Sequence, residues 1–132
     1  MNYLLDTHTF LWTIAKSKNL SVVASKAIKT QDNEIFVSAV SLWEIAIKSR
    51  IGKLDLGGIK PEELLSSAEI MEFQLIGLSP EESSTYGNLK EPIHKDPFDR
   101  MLIWQAIQRK MILISKDQEF TKFVEYGLKL LW

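Results

Sequence analysis

The sequence predicts an α/β fold, a three-layer α/β/α sandwich around a mainly parallel sheet of about five strands. Two observations carry this: short apolar runs alternate with stretches of 3.6-residue periodicity from end to end, and the helical stretches open on clear start signals. A third sets the scale. With 132 residues, 45% hydrophobic and 25% charged, the chain suits one globular domain spanning residues 1–132, large enough to bury a core without staples.

Tyr3 to Leu5, Ile35 to Val37, Phe73 to Ile76, Met111 to Ile114 and Leu128 to Leu131 read as buried strands. Ser79-Pro80-Glu81-Glu82 is a capping box with proline at the first helical position. Lys60-Pro61-Glu62-Glu63 puts proline and acids in a first turn, and Asp96-Pro97-Phe98-Asp99 is a third start. Gly52 to Gly58 reads as a connection too short to join two domains.

Cysteine is absent, which excludes a disulfide framework, thiolate zinc sites and cysteine nucleophiles and fits a reducing compartment. A cytoplasmic location is expected. No apolar run approaches the roughly 18 residues of a membrane span, and the opening Met-Asn-Tyr-Leu-Leu-Asp lacks the layout of a signal peptide, so no membrane partner is expected. Sixteen Lys and Arg against seventeen Asp and Glu give a net charge of -1. Bulk charge does not announce a nucleic-acid binder; a polyanion would need a local basic patch or a metal.

The acids are the informative residues. Asp6 follows the Leu4-Leu5 run and precedes the Thr9 to Ala15 amphipathic stretch, at the carboxyl end of the first strand, where open α/β sheets place their functional crevice. Its plain alternative is a helix cap. Glu44 lies on the apolar stripe of its helix with Val40, Ile47 and Ile51, and a carboxylate facing a core is costly unless paired or bound to a cation. Here the alternative is a capping box, Ser41-Leu42-Trp43-Glu44, although Ala39 and Val40 favour a helix start at Ser38. Asp99 heads the face carrying Leu102, Ile103 and Ala106, yet it also suits the third position of a helix capped by Asp96. Asp117 leaves the Met111 to Ile114 strand as Asp6 leaves the first, ahead of a Glu119 to Val124 helix. Four acids thus converge on one end of one sheet, an arrangement intelligible around a hard divalent cation such as Mg²⁺ or Mn²⁺.

These residues resemble a known family. Leu4-Leu5-Asp6-Thr7, Ser38-Ala39-Val40-Ser41-Leu42-Trp43-Glu44, Asp96-Pro97-Phe98-Asp99-Arg100-Met101-Leu102 and Leu113-Ile114-Ser115-Lys116-Asp117-Gln118-Glu119-Phe120 are similar, in order and spacing, to the PIN-domain ribonucleases, and especially to the VapC-like toxins of prokaryotic toxin-antitoxin pairs. The resemblance implies that Asp6, Glu44, Asp99 and Asp117 are the metal-binding acids, with the hydroxyls of Thr7 and Ser115 in support. Asp96 either stands behind the metal ligands or simply caps its helix. Trp104 departs from the small residues many relatives carry after the third acid, which leaves the packing beside the site open.

The implied activity is endoribonucleolytic cleavage by an activated water on Mg²⁺ or Mn²⁺. RNA is the implied substrate; a cognate antitoxin and a second copy of the chain are the implied partners. His8 and His94, without metal-ligand spacing, read as structural or solvated. Lys48, Arg50 and Lys53, with Lys90, Lys95 and Arg100, either line the site or decorate solvated faces. A phosphoaspartate hydrolase is disfavoured because His8 stands where its second Asp belongs. The serious rival keeps the fold and drops the chemistry: a catalytically silent RNA- or protein-binding module.

Overall fold

In the computed structural model, which describes residues 1–132, five parallel strands form one sheet in the order β3-β2-β1-β4-β5. The strands are β1 Asn2–Leu5, β2 Glu34–Ser38, β3 Gln74–Ile76, β4 Ile112–Ile114 and β5 Lys129–Leu131. The α-helices are α1 Thr7–Ala15, α2 Val22–Lys29, α3 Ala39–Arg50, α4 Glu63–Ile70, α5 Pro80–Thr85 and α6 Pro97–Gln108. A 3-10 helix, Gln118–Tyr126, links β4 to β5 and ends on Gly127, whose φ of 105° suits glycine.

Period-two alternation sends neighbouring side chains into two separate cores, which is what makes the molecule three layers thick. Leu4, Phe36 and Leu113 face a core built with α6 and the 3-10 helix, among them Leu102, Ile103, Phe120 and Phe123. Tyr3, Leu5, Ile35, Val37 and Ile114 face the opposite core, with Phe10, Ala24, Ile45, Leu64 and Ala68. The α3 helix serves both, Val40 in one core and Ile45 in the other.

The strand runs were all expected to be buried, and the edges differ. Leu75 on β3 is 38% exposed and β5 is only partly covered, because an edge strand has a neighbour on one side alone. The start at Lys60-Pro61 is also later than expected: Leu64 N–H reaches Pro61 O in a tight turn, and α4 begins at Glu63. Trp104 raises no conflict beside the acids. Its indole N–H donates to Thr85 Oγ1 at 3.1 Å, turning the ring towards α5.

Chain order runs outward from β1 through β2 to β3, then returns across the sheet to β4 and β5 on the other side of β1. The order therefore reverses between β1 and β4, and the carboxyl ends of these two strands border the crevice where such sheets bind ligands.

A buried polar chain steadies one wall of that crevice. Ser38, the N-cap of α3, donates from Oγ to Gln105 Oε1 at 2.6 Å. Gln105 Nε2 donates to Glu82 Oε1 at 3.1 Å, and Arg109 Nε donates to Glu82 Oε2 at 2.7 Å. Arg109 and the capping-box N–H of Ser79 set the Glu82 carboxyl low, at about 2 against an ordinary 4.5, against the opposing effect of burial. A depressed carboxylate stabilises the fold above its unfolded pKa and loses that contribution as pH falls towards the folded value. Glu82→Gln is therefore expected to cost about 1–2 kcal/mol at pH 7, with the gap to the unsubstituted chain narrowing between pH 4.5 and 2. Urea unfolding across that pH range reads it directly.

Candidate active site

Each acid reaches the crevice by a short local device. Asp6 ends β1 and caps α1, accepting the Thr9 N–H at 2.8 Å, while its own N–H donates to Ile114 O on β4 at 3.1 Å. The cap reading and the site reading are thus both satisfied by one carboxylate. Ser38, not Ser41, caps α3, so Glu44 stands in the second turn and faces inward with 3% of its surface exposed. The buried face is Val40, Ser41, Glu44 and Ile45; Ile51, expected on the same stripe, lies past the last turn and is 57% exposed. Asp96 caps α6 by accepting Asp99 N–H at 2.9 Å. Asp117 caps the 3-10 helix through Glu119 N–H at 2.9 Å and is exposed.

These elements enclose a crevice of about 360 Å³ whose walls carry Asp6, Glu44, Asp96, Asp99 and Asp117 together with Thr7, His8, Trp12, Lys48, Lys116 and Phe120. All four expected acids are on it. They do not draw together tightly enough for any three to enclose an ion by themselves. What the walls offer is an array of carboxylate oxygens around open space, the donor type preferred by hard cations that keep part of their water shell.

The hydroxyls and cations around the acids fix their geometry. Thr7 Oγ1 donates to Glu44 Oε1 at 2.6 Å and lies 3.0 Å from Ser41 Oγ. Lys48, one turn on, pairs with the other oxygen of Glu44, and that carboxylate holds the ammonium pKa above its ordinary value. A cation thus already sits on the buried acid. Ser115 is 5% exposed and its Oγ accepts the Asp117 N–H at 3.1 Å.

Burial dominates the titration of two of the acids. It pushes the Asp6 carboxyl above its ordinary value, against hydrogen bonds from Ser115 and Thr9 that draw it down. It pushes Asp99 to about 6, opposed by the hydrogen bond of His94, with the nearby Asp96 and Glu44 charges adding to the rise.

His94 was read from sequence as structural or solvated, and its place is more specific than that. Its Nε2 lies 2.9 Å from Asp99 Oδ2, and its ring meets Phe120 and Phe123 edge-on at 5.7 Å. Arg100, one of the cations considered for the lining, belongs to the scaffold. Its guanidinium donates to the carbonyls of Leu89 at 2.7 Å, Glu91 at 3.0 Å and His94 at 2.7 Å, which ties down the segment carrying His94. Of the other cations considered, Lys48 lines the crevice, and Lys116, which sequence reasoning passed over, joins it there.

The model of the PIN domain family matches residues 3–125. The chain belongs to the PIN-domain family. This PIN domain is 31% identical over 115 residues to Ribonuclease VapC22 of Mycobacterium tuberculosis, an alignment that covers 87% of this chain and 86% of that protein. That likeness sets it on the VapC side of the family. VapBC2 from Rickettsia felis, solved bound to a promoter DNA fragment, superposes with a TM-score of 0.68 at 22% identity, covering 99% of this chain and 98% of that one. VapBC-1 from nontypeable Haemophilus influenzae gives 0.68 at 16% identity, covering 99% and 97%. At these identities the shared property is the PIN fold itself.

The pKa of Asp99 makes a prediction for the metal-free PIN domain. A carboxyl raised in the folded state opposes folding when ionised, and that penalty fades as pH falls from about 6 towards the ordinary 3.8. In chelator, Asp99→Asn is expected to stabilise by about 1–2 kcal/mol at pH 7, with the advantage disappearing by about pH 4. Denaturant titrations at the two pH values check the sign and its loss.

Proposed function

We propose that this chain is an endoribonuclease dependent on Mg²⁺ or Mn²⁺ and acts as the toxin of a toxin-antitoxin pair. The observation that carries the reading is the crevice at the β1/β4 switch point, with Asp6, Glu44, Asp99 and Asp117 on its walls. Membership of the PIN family and the likeness to a protein named as a ribonuclease give the reading its chemical class.

Asp6, Glu44, Asp99 and Asp117 would hold the cation, through direct contacts and through its waters. The carboxylate donor set fits a hard ion, and the Lys48 ammonium on Glu44 marks where positive charge is wanted. When bound, such an ion supplies a more acidic water and positive charge for the scissile phosphate. The chain's own groups do the positioning. Thr7 fixes one oxygen of Glu44, His94 one oxygen of Asp99, and Ser115 the backbone that presents Asp117. Asp96 keeps its cap and adds negative charge at the rim. Lys48 holds the other oxygen of Glu44.

The partners follow the same reasoning. Several solved structures of this fold are VapBC pairs, which supports a cognate antitoxin for this chain. A homodimer agrees with the exposed Trp43, 60% accessible and 5.4 Å from the Phe98 ring, an aromatic pair suited to an interface. No helix is long and apolar enough to cross a membrane. Cytoplasmic residence as a single domain completes the reading.

Asp6→Asn and Glu44→Gln keep side-chain shape and remove one negative charge each, so both are expected to abolish cleavage of RNA while leaving the thermal melt intact. Chelator should do the same to the unsubstituted chain. Cleavage that survives chelator, or either substitution, would overturn the assignment. Binding of RNA without cleavage at saturating Mn²⁺ would favour the silent binding module instead.

A further inference from the structure

The crevice poses a problem for a polyanionic substrate. Five acids line it, and of its two lysines Lys48 is committed to Glu44. The other, Lys116, makes no ion pair and is exposed at the rim. Phosphate attraction alone is therefore a weak source of affinity here, and an interaction indifferent to charge is needed.

Trp12 supplies one. The indole is half-buried on α1 and forms a ridge shared by the acidic crevice and an adjoining apolar groove under Leu54, Leu56 and Ile59. The Lys116 ammonium lies over this ring, 5.8 Å from its centroid, with the Trp132 and His8 rings at 5.9 Å and 6.0 Å. The free cation of the crevice and its one partly accessible indole are thus a single unit. A hydrated lysine over an aromatic face is a light occupant that a nucleobase can displace, and the displaced ammonium remains beside the strand.

We propose that Trp12 and Lys116 form a nucleotide subsite beside the acidic crevice, the indole stacking an unpaired base of the RNA and the ammonium meeting a neighbouring phosphate. The inference rests on the ribonuclease reading and adds to it how a single strand is held. Stacking accepts any base, so the subsite contributes affinity and register rather than base identity.

The two parts of the subsite have different signatures in salt. In the Asp6→Asn background, a fluorescent random-sequence single-stranded RNA pool is titrated with protein at several salt concentrations in Mg²⁺. Trp12→Leu should weaken binding by about tenfold at every salt concentration without changing the slope of log K against log salt, because stacking releases no counterions. Trp12→Phe should retain most of the affinity. Lys116→Gln should make the slope shallower by about 0.7, the loss of one phosphate contact. Thermal melts report whether each variant is folded; if Trp12→Leu is not, the Phe and Lys116 arms still decide. Parent-like binding by a folded Trp12→Leu, a Phe variant no better than Leu, or an unchanged slope in Lys116→Gln overturns the subsite. A parent that ignores the pool also overturns it; the ribonuclease reading then stands if the unsubstituted chain cuts cellular RNA in Mg²⁺, and falls with it if it does not.

Discussion

Everything in this fold that matters to the site follows from placing carboxylates where water is scarce. Asp6 is 8% exposed and Glu44 3%, and an ionised carboxylate at such depth is costly without compensation. The structure compensates by direction. Asp6 and Asp117 cap helices, Asp99 stands in the first turn of α6 behind the Asp96 cap, and Glu44 lies one turn into α3, so the positive ends of four helical elements meet around the acids. Parallel strands force this arrangement, because every strand in such a sheet delivers its chain to the next helix at the same edge.

The compensation is partial, which is why the site is poised rather than satisfied. Burial keeps Asp6 and Asp99 above their ordinary values. Lys48 is held on Glu44 and His94 on Asp99, two cation-capable groups drawn from the chain itself. Both contacts lie on crevice acids: Thr7 and Lys48 between them hold both oxygens of Glu44, while His94 holds one oxygen of Asp99. Stability and function pull against each other at these residues, and the polar chain from Ser38 through Gln105 to Glu82 and Arg109 ties together the start of α3, α5 and α6.

The sequence made the acids legible because each interrupts a pattern. Asp6 and Asp117 end apolar runs, and Asp99 and Glu44 break into apolar faces. The helix start at Ser38 could be read from Ala39 and Val40, and it decides which way Glu44 points. Less could be read where partners are backbone atoms or residues far along the chain. Arg100 looks like a lining cation until its carbonyl partners on the 89–94 segment are known. His94 has no ligand spacing, and only the turn before α6 brings its ring to Asp99. The exposure of β3 and β5 was hidden because an apolar run records composition, not whether a strand lies at the centre or the edge of the sheet. The orientation of Trp104 towards Thr85 was equally invisible, since it depends on where α5 packs.

The most direct test of the proposal that these acids hold a cation is to look for the ion. An anomalous difference map from a crystal of the chain soaked in Mn²⁺ should show one or more peaks in the crevice at coordination distance from Asp6. No peak at saturating Mn²⁺, or peaks only on the outer surface, would contradict the account.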